Sequence, residues 1–126
     1  MLIRFALTAA MSGLLTAGMS PARAADCAPA IQSTAQVAAI GDAAVRSDNY
    51  LEFSRSANAA RFAAIDAQRQ AKTCGCTEAE PQLENLTDSI NLANRAFDLS
   101  SVRAHGARIK KEADEAIETL RRCSKP

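Results

Sequence analysis

The chain has 126 residues, 48% hydrophobic and 23% charged, with 15 Lys and Arg against 14 Asp and Glu. That length supports one domain rather than two. A charge this close to balance argues against nucleic acid or an anionic membrane as partner, because both select strongly basic chains.

The N-terminus reads as an export signal. Met1-Leu2-Ile3-Arg4 supplies a positive start, Phe5 to Ala17 is mostly apolar, and Ala22-Arg23-Ala24 is an A-x-A cleavage site. The apolar run is shorter than the roughly 20 residues a spanning helix needs. Residues 1–24 are therefore expected to be a cleaved signal peptide and residues 25–126 a single helical domain. Arg4 and Arg23 leave with the signal, so the processed chain carries 13 basic and 14 acidic residues, a net charge of −1. No second hydrophobic run follows, and Asp26 rather than a small residue precedes Cys27, which disfavours lipidation. The expected location is the periplasm or the extracellular space, without a membrane anchor after processing.

Beyond the signal, Ala, Glu, Arg, Asp and Leu dominate and β-branched residues never alternate over a strand length. Helix is the expected state almost throughout. The first helix is predicted near 29–46, with Pro29 suited to its first turn. The second is predicted over 50–73, opened by a capping box at Asn49-Tyr50-Leu51-Glu52. It ends at Thr73-Cys74-Gly75-Cys76-Thr77, where Gly75 can take a left-handed conformation. The third is predicted over 78–98, with a second capping box at Thr77-Glu78-Ala79-Glu80 and Pro81 just inside. The fourth is predicted over 101–122, behind the N-cap candidates Asp98 to Ser101. Two long helices are the alternative, should the chain fail to turn near 46–49 and 98–101. The apolar phase favours four: Leu83, Leu86, Ile90, Ala93 and Phe97 form one stripe. Val102, Ile109, Ala113, Ala116, Leu120 and Cys123 form another, and a step of five separates Phe97 from Val102.

Cys27, Cys74, Cys76 and Cys123 form an even set in a small exported domain, which reads as two disulfides. The spacing from Cys27 to Cys74 repeats from Cys76 to Cys123. Sliding the chain by 49 positions superposes these cysteines and several alanines, which leaves a duplicated helical hairpin open. In an up-down-up-down bundle all four cysteines meet at one end. Among the three connectivities, Cys27–Cys74 with Cys76–Cys123 staples each hairpin at its base, whereas a Cys74–Cys76 ring is small and strained. Ala57, Ala60, Ala64, Ala67 and Ala71 line one face of the second helix, and a small-residue face lets helices approach closely. The fold class expected is thus all-α, an antiparallel four-helix bundle of two αα-hairpins, each stapled by a disulfide.

Other candidate sites are sparse. Cys74 and Cys76 could instead serve thiol redox or soft-metal chemistry, but Thr73 and Thr77 beside them supply no charge to activate a thiol. Four-helix periplasmic cytochromes look like this chain in length and topology. His105 is the only His, however, the processed chain has no Met, and Cys-x-x-Cys-His is absent, so no cofactor is expected. No metal-ligand cluster, phosphate loop or catalytic triad stands out. Leu51, Arg55, Asn58, Phe62, Ile65 and Arg69 form a stripe on the second helix opposite its alanine face. Its bland reading is that Phe62 and Ile65 pack against a neighbouring helix; its functional reading is a face for a partner protein. The function expected is non-catalytic, a protein-binding or accessory role in the cell envelope, with another envelope or secreted protein as partner. The alternative is a periplasmic thiol redox or soft-metal-handling protein using Cys74 and Cys76.

Overall fold

A computed structural model describes residues 26–124, so the signal segment lies outside the described residues. It contains helices α1 (Ala28–Val45), α2 (Tyr50–Thr73), α3 (Ala79–Ala93) and α4 (Leu99–Ser124), and no strand among the described residues. Each helix packs on its chain neighbours, and α4 closes the ring on α1 in the most extensive contact of the bundle. α2 and α4 touch only slightly across one diagonal. No described helix is long and apolar enough to cross a membrane.

Local chemistry accounts for most helix ends. Asn49 has extended backbone and its Oδ1 accepts the Leu51 N–H at 2.8 Å, capping α2. Asp98 does the same for α4, its Oδ1 accepting the Ser101 N–H at 2.8 Å. Because Asp98 caps here, α4 begins at Leu99 and α3 stops at Ala93, five residues short of the predicted end. Phe97 consequently lies in the turn, 84% exposed, and does not belong to the α3 stripe. The box predicted at Thr77 does not form: Glu78 occupies the N-cap position without a side-chain bond, and the Glu80 N–H reaches the Thr77 carbonyl instead. Removing a cap by Asn49→Ala is expected to cost about 1 kcal/mol, read as a shift of the urea midpoint with the slope unchanged.

The turn after α2 is a Schellman motif. Gly75 has φ +77°, its N–H bonds to the Lys72 carbonyl, and the Cys76 N–H bonds to the Ala71 carbonyl at 2.9 Å. This geometry sends the two cysteines to different neighbours. Cys74 pairs with Cys27 at the start of α1, and Cys76 pairs with Cys123 near the end of α4, with Cα–Cα distances of 5.4 and 5.6 Å. A further link at this end is the Cys27 N–H donating to Ser124 Oγ at 3.2 Å.

The core is built from unequal halves. α2 contributes Phe53 and a run of buried alanines, Ala57 to Ala71, while α3 and α4 contribute Leu83, Leu86, Ile90, Ile109 and Leu120. Small residues on one side accept large ones from the other, as dense packing requires. The 49-residue offset relates burial as well as cysteines. Every buried residue of the first hairpin except Ala63 falls on a buried residue of the second, and the caps Asn49 and Asp98 coincide.

That internal symmetry breaks at one layer. Gly41 of α1 lies against Gly106 of α4, and a Cβ added at Gly106 would sit 2.6 Å from Ala44 Cβ and 2.8 Å from the Gly41 carbonyl oxygen. The offset partners of these glycines are Ile90 and Ala57, so side chains occupy the corresponding layer between α2 and α3. At this layer α1 and α4 are therefore in backbone contact. Only glycine permits backbone-to-backbone contact of this kind.

Candidate functional site

At the stapled end all four cysteines are in disulfides and no described thiol is free. Cys27 and Cys76 are fully buried. Cys74 and Cys76 are each bonded to a different helix, so the Cys-Gly-Cys segment is a junction between two staples and not a dithiol in this form. Two disulfides in so small a domain point to an oxidising, non-cytosolic environment.

The outward face of α2 is the one place where sequence-selected residues form a coherent surface. At about 100° per residue, Phe62 stands some 200° round the helix from the buried Ala60, and the other stripe members fall within about 60° of the same direction, Ile65 the furthest round. Phe62 is 58% and Leu51 57% exposed, and Arg55, Asn58 and Arg69 are exposed with them. Ile65 sits at the margin of exposure. The expectation that Phe62 and Ile65 are covered by a neighbouring helix is thus corrected. Phe53 is the aromatic of α2 that enters the core, because it shares the phase of Ala57, Ala60 and Ala64.

Electrostatics on this face are predominantly cationic. Arg69 pairs with Asp66 at 2.8 Å, and the Arg61 guanidinium lies 5.0 Å from the centre of the Phe62 ring. Such stacking holds an exposed aromatic in place without hiding it. Neither Arg55, Arg61 nor Lys72 meets a carboxylate at ion-pair distance among the described residues. Beside the stripe runs an open groove of about 300 Å³ between α1 and α2, lined by Ile40, Ala44, Ser47, Glu52, Phe53 and Arg55 among others.

Sequence reasoning missed a second apolar region, at the end of the bundle opposite the disulfides. Val45, Tyr50, Leu51, Leu92 and Phe97 are all exposed around the two turns there. Leu51 falls in the α2 stripe and Phe97 in the stripe expected for α3, so the residues missed are Val45, Tyr50 and Leu92, whose only sequence signal is proximity to the breaks at 46–49 and 94–98.

Several other polar groups bond within or between α3 and α4. Buried Ser89 donates to Glu112 Oε1 at 2.6 Å, tying α3 to α4, and Arg108 pairs with the other oxygen of Glu112. Lys110 has its pKa raised by the hydrogen bond from its ammonium to Asp114 at 2.7 Å and by the charge of that carboxylate. His105 is half-buried on α4, one residue from the Gly41–Gly106 crossing. The described residues gather no group of three His, Cys, Asp or Glu side chains able to hold a metal ion.

No protein-family model, curated protein or solved structure matches the chain.

Proposed function

We propose that this protein is exported through a cleaved signal peptide and works in the periplasm or outside the cell as a non-catalytic module that binds another protein through the outward face of α2. The observation that carries this reading is the exposure of Phe62, Leu51 and Ile65 in phase with Arg55 and Arg69. Large side chains left in water on a rigid helix are common anchors of interfaces, with aromatic and Arg side chains the most frequent energetic contributors. The two staples support the reading, since a core rich in alanine would otherwise hold that surface loosely.

The test is a photo-crosslinking residue placed at position 62, and at exposed position 104 on α4 as control, in the protein expressed in its source cell. The expected outcome is a discrete protein adduct from position 62 alone. Equal labelling from both positions, or none from either, overturns the reading. Intact mass checks the export component, with loss of residues 1–24 as the expected product.

A further inference from the structure

Positions 51, 58, 65 and 72 of α2 follow one another every seven residues, and positions 55, 62 and 69 fall four residues after the first three of them. This is the alternating three-and-four spacing of a coiled-coil seam. On a straight helix such a seam drifts by only about 20° per heptad, so it stays on one face along the length of α2. Its members are Leu51, Arg55, Asn58, Phe62, Ile65, Arg69 and Lys72, all pointing away from the bundle core.

We propose that this face docks an acidic amphipathic α-helix of another protein, whose apolar stripe meets Leu51, Phe62 and Ile65 and whose carboxylates meet Arg55, Arg61 and Lys72. The inference rests on the protein-binding reading above and names the chemistry of the partner. Periodicity supplies the helical form of the occupant, since a seam spaced at 3.5 residues matches another helix wound against it. Charge supplies its sign. Arg55, Arg61 and Lys72 lack carboxylate partners, whereas Glu52 and Asp66 are the only acids of α2, and Asp66 is already held by Arg69. A second copy does not fit the seam. Its own α2, in either direction, would set Arg55 or Arg69 against arginine. Its acidic α3 presents Glu84, Asp88 and Asn91 outward and has only Leu92, in its last turn, as an exposed large apolar side chain to set against Leu51, Phe62 and Ile65. A lipid surface fits less well, because interfacial helices sink a continuous apolar face. Here Asn58 interrupts the seam and Asp66 flanks it.

The experiment uses the oxidised protein and two fluorescent peptides of three heptads, each with Leu at both seam positions. One carries Glu at the flanking positions and the other Lys. Anisotropy titration is expected to show the Glu peptide binding at least about tenfold more tightly than the Lys peptide, as complementary charge requires. The double variant Arg55→Glu with Arg61→Glu should weaken the Glu peptide by about tenfold or more. Phe62→Ala should weaken it by about fivefold or more. Arg121→Glu, on the exposed end of α4, should leave affinity unchanged. All these positions are in contact with solvent, so circular dichroism is expected to show an unaltered fold.

Equal binding of the two peptides, binding of neither, or indifference to the Arg55 and Arg61 changes overturns the proposal. Phe62-dependent binding to vesicles of phosphatidylglycerol and phosphatidylcholine without peptide binding makes the face a lipid surface and also overturns it. Phe62-dependent dimerisation in light scattering, again without peptide binding, assigns the face to a second copy with the same consequence. If the peptides fail while position 62 still crosslinks a protein in cells, the protein-binding reading stands and the acidic-helix inference falls.

Discussion

Replacing Gly106 with alanine is expected to destabilise the bundle by about 2–3 kcal/mol, although the same change in an exposed helix would stabilise by about 1 kcal/mol. The opposing term is steric. The new Cβ would lie 2.6 Å from Ala44 Cβ, 2.8 Å from the Gly41 carbonyl oxygen and 3.1 Å from the Val45 nitrogen. These neighbours are main-chain atoms or one bond from it, so none can rotate aside. Relief requires α1 and α4 to move apart, which opens the most extensive contact in the molecule. Gly41→Ala meets the Gly106 carbonyl and the Lys110 nitrogen at 2.9 Å and should behave alike. The two changes crowd the same crossing and one separation of α1 from α4 accommodates both, so their double variant should cost less than the sum of the singles. Urea unfolding of the three variants measures this. A Gly106→Ala variant as stable as the parent would show that the helices are not in backbone contact.

The second large effect is expected from the staples. Each disulfide closes a loop with sequence separation 47, for which chain entropy suggests about 4 kcal/mol, within the typical range of about 2–5 kcal/mol. Cys27→Ala with Cys74→Ala, and separately Cys76→Ala with Cys123→Ala, should therefore lower stability by similar amounts. A domain of this size has only about 5–15 kcal/mol in total. Removing both staples should leave the chain largely unfolded at 37 °C, read as loss of cooperative thermal unfolding. A fully reduced protein that keeps a sharp transition near the parent temperature would show that the alanine-rich core is sufficient alone.

These two effects concern opposite ends of the same hairpin pair and explain how a chain with few large apolar residues holds a rigid surface. The staples limit the unfolded ensemble at one end. The glycine crossing brings α1 and α4 together further along. α2 is left with its Ala face in the core and its Leu51–Phe62–Ile65 face in water. Under the proposed docking, a partner helix would meet an α2 that is already ordered, which removes part of the entropic cost of association.

The sequence by itself determined the helical class and the two phases of α2, and it favoured the four-helix division and the cysteine pairing that the structure then settled. Each is a local or periodic property. Alanine content and apolar spacing set helix, Asn49 and Gly75 mark a start and a stop, and equal cysteine spacings in antiparallel hairpins bring the right sulfurs to one end. The α3–α4 junction was less legible because two candidate signals overlapped there, the apolar stripe that included Phe97 and the cap at Asp98. The cap prevailed: its hydrogen bond forms wherever the backbone turns, while Phe97 had no neighbour to cover it. Only the tertiary structure decided that Gly41 and Gly106 meet, because each alone is merely a poor helix residue and their contact depends on how α4 is rotated against α1. It also decided that Phe62 stays in water. A stripe at helical spacing shows which residues share a direction, but whether another helix lies in that direction depends on the ring order of the bundle, in which α2 is flanked by α1 and α3 and its far side is open.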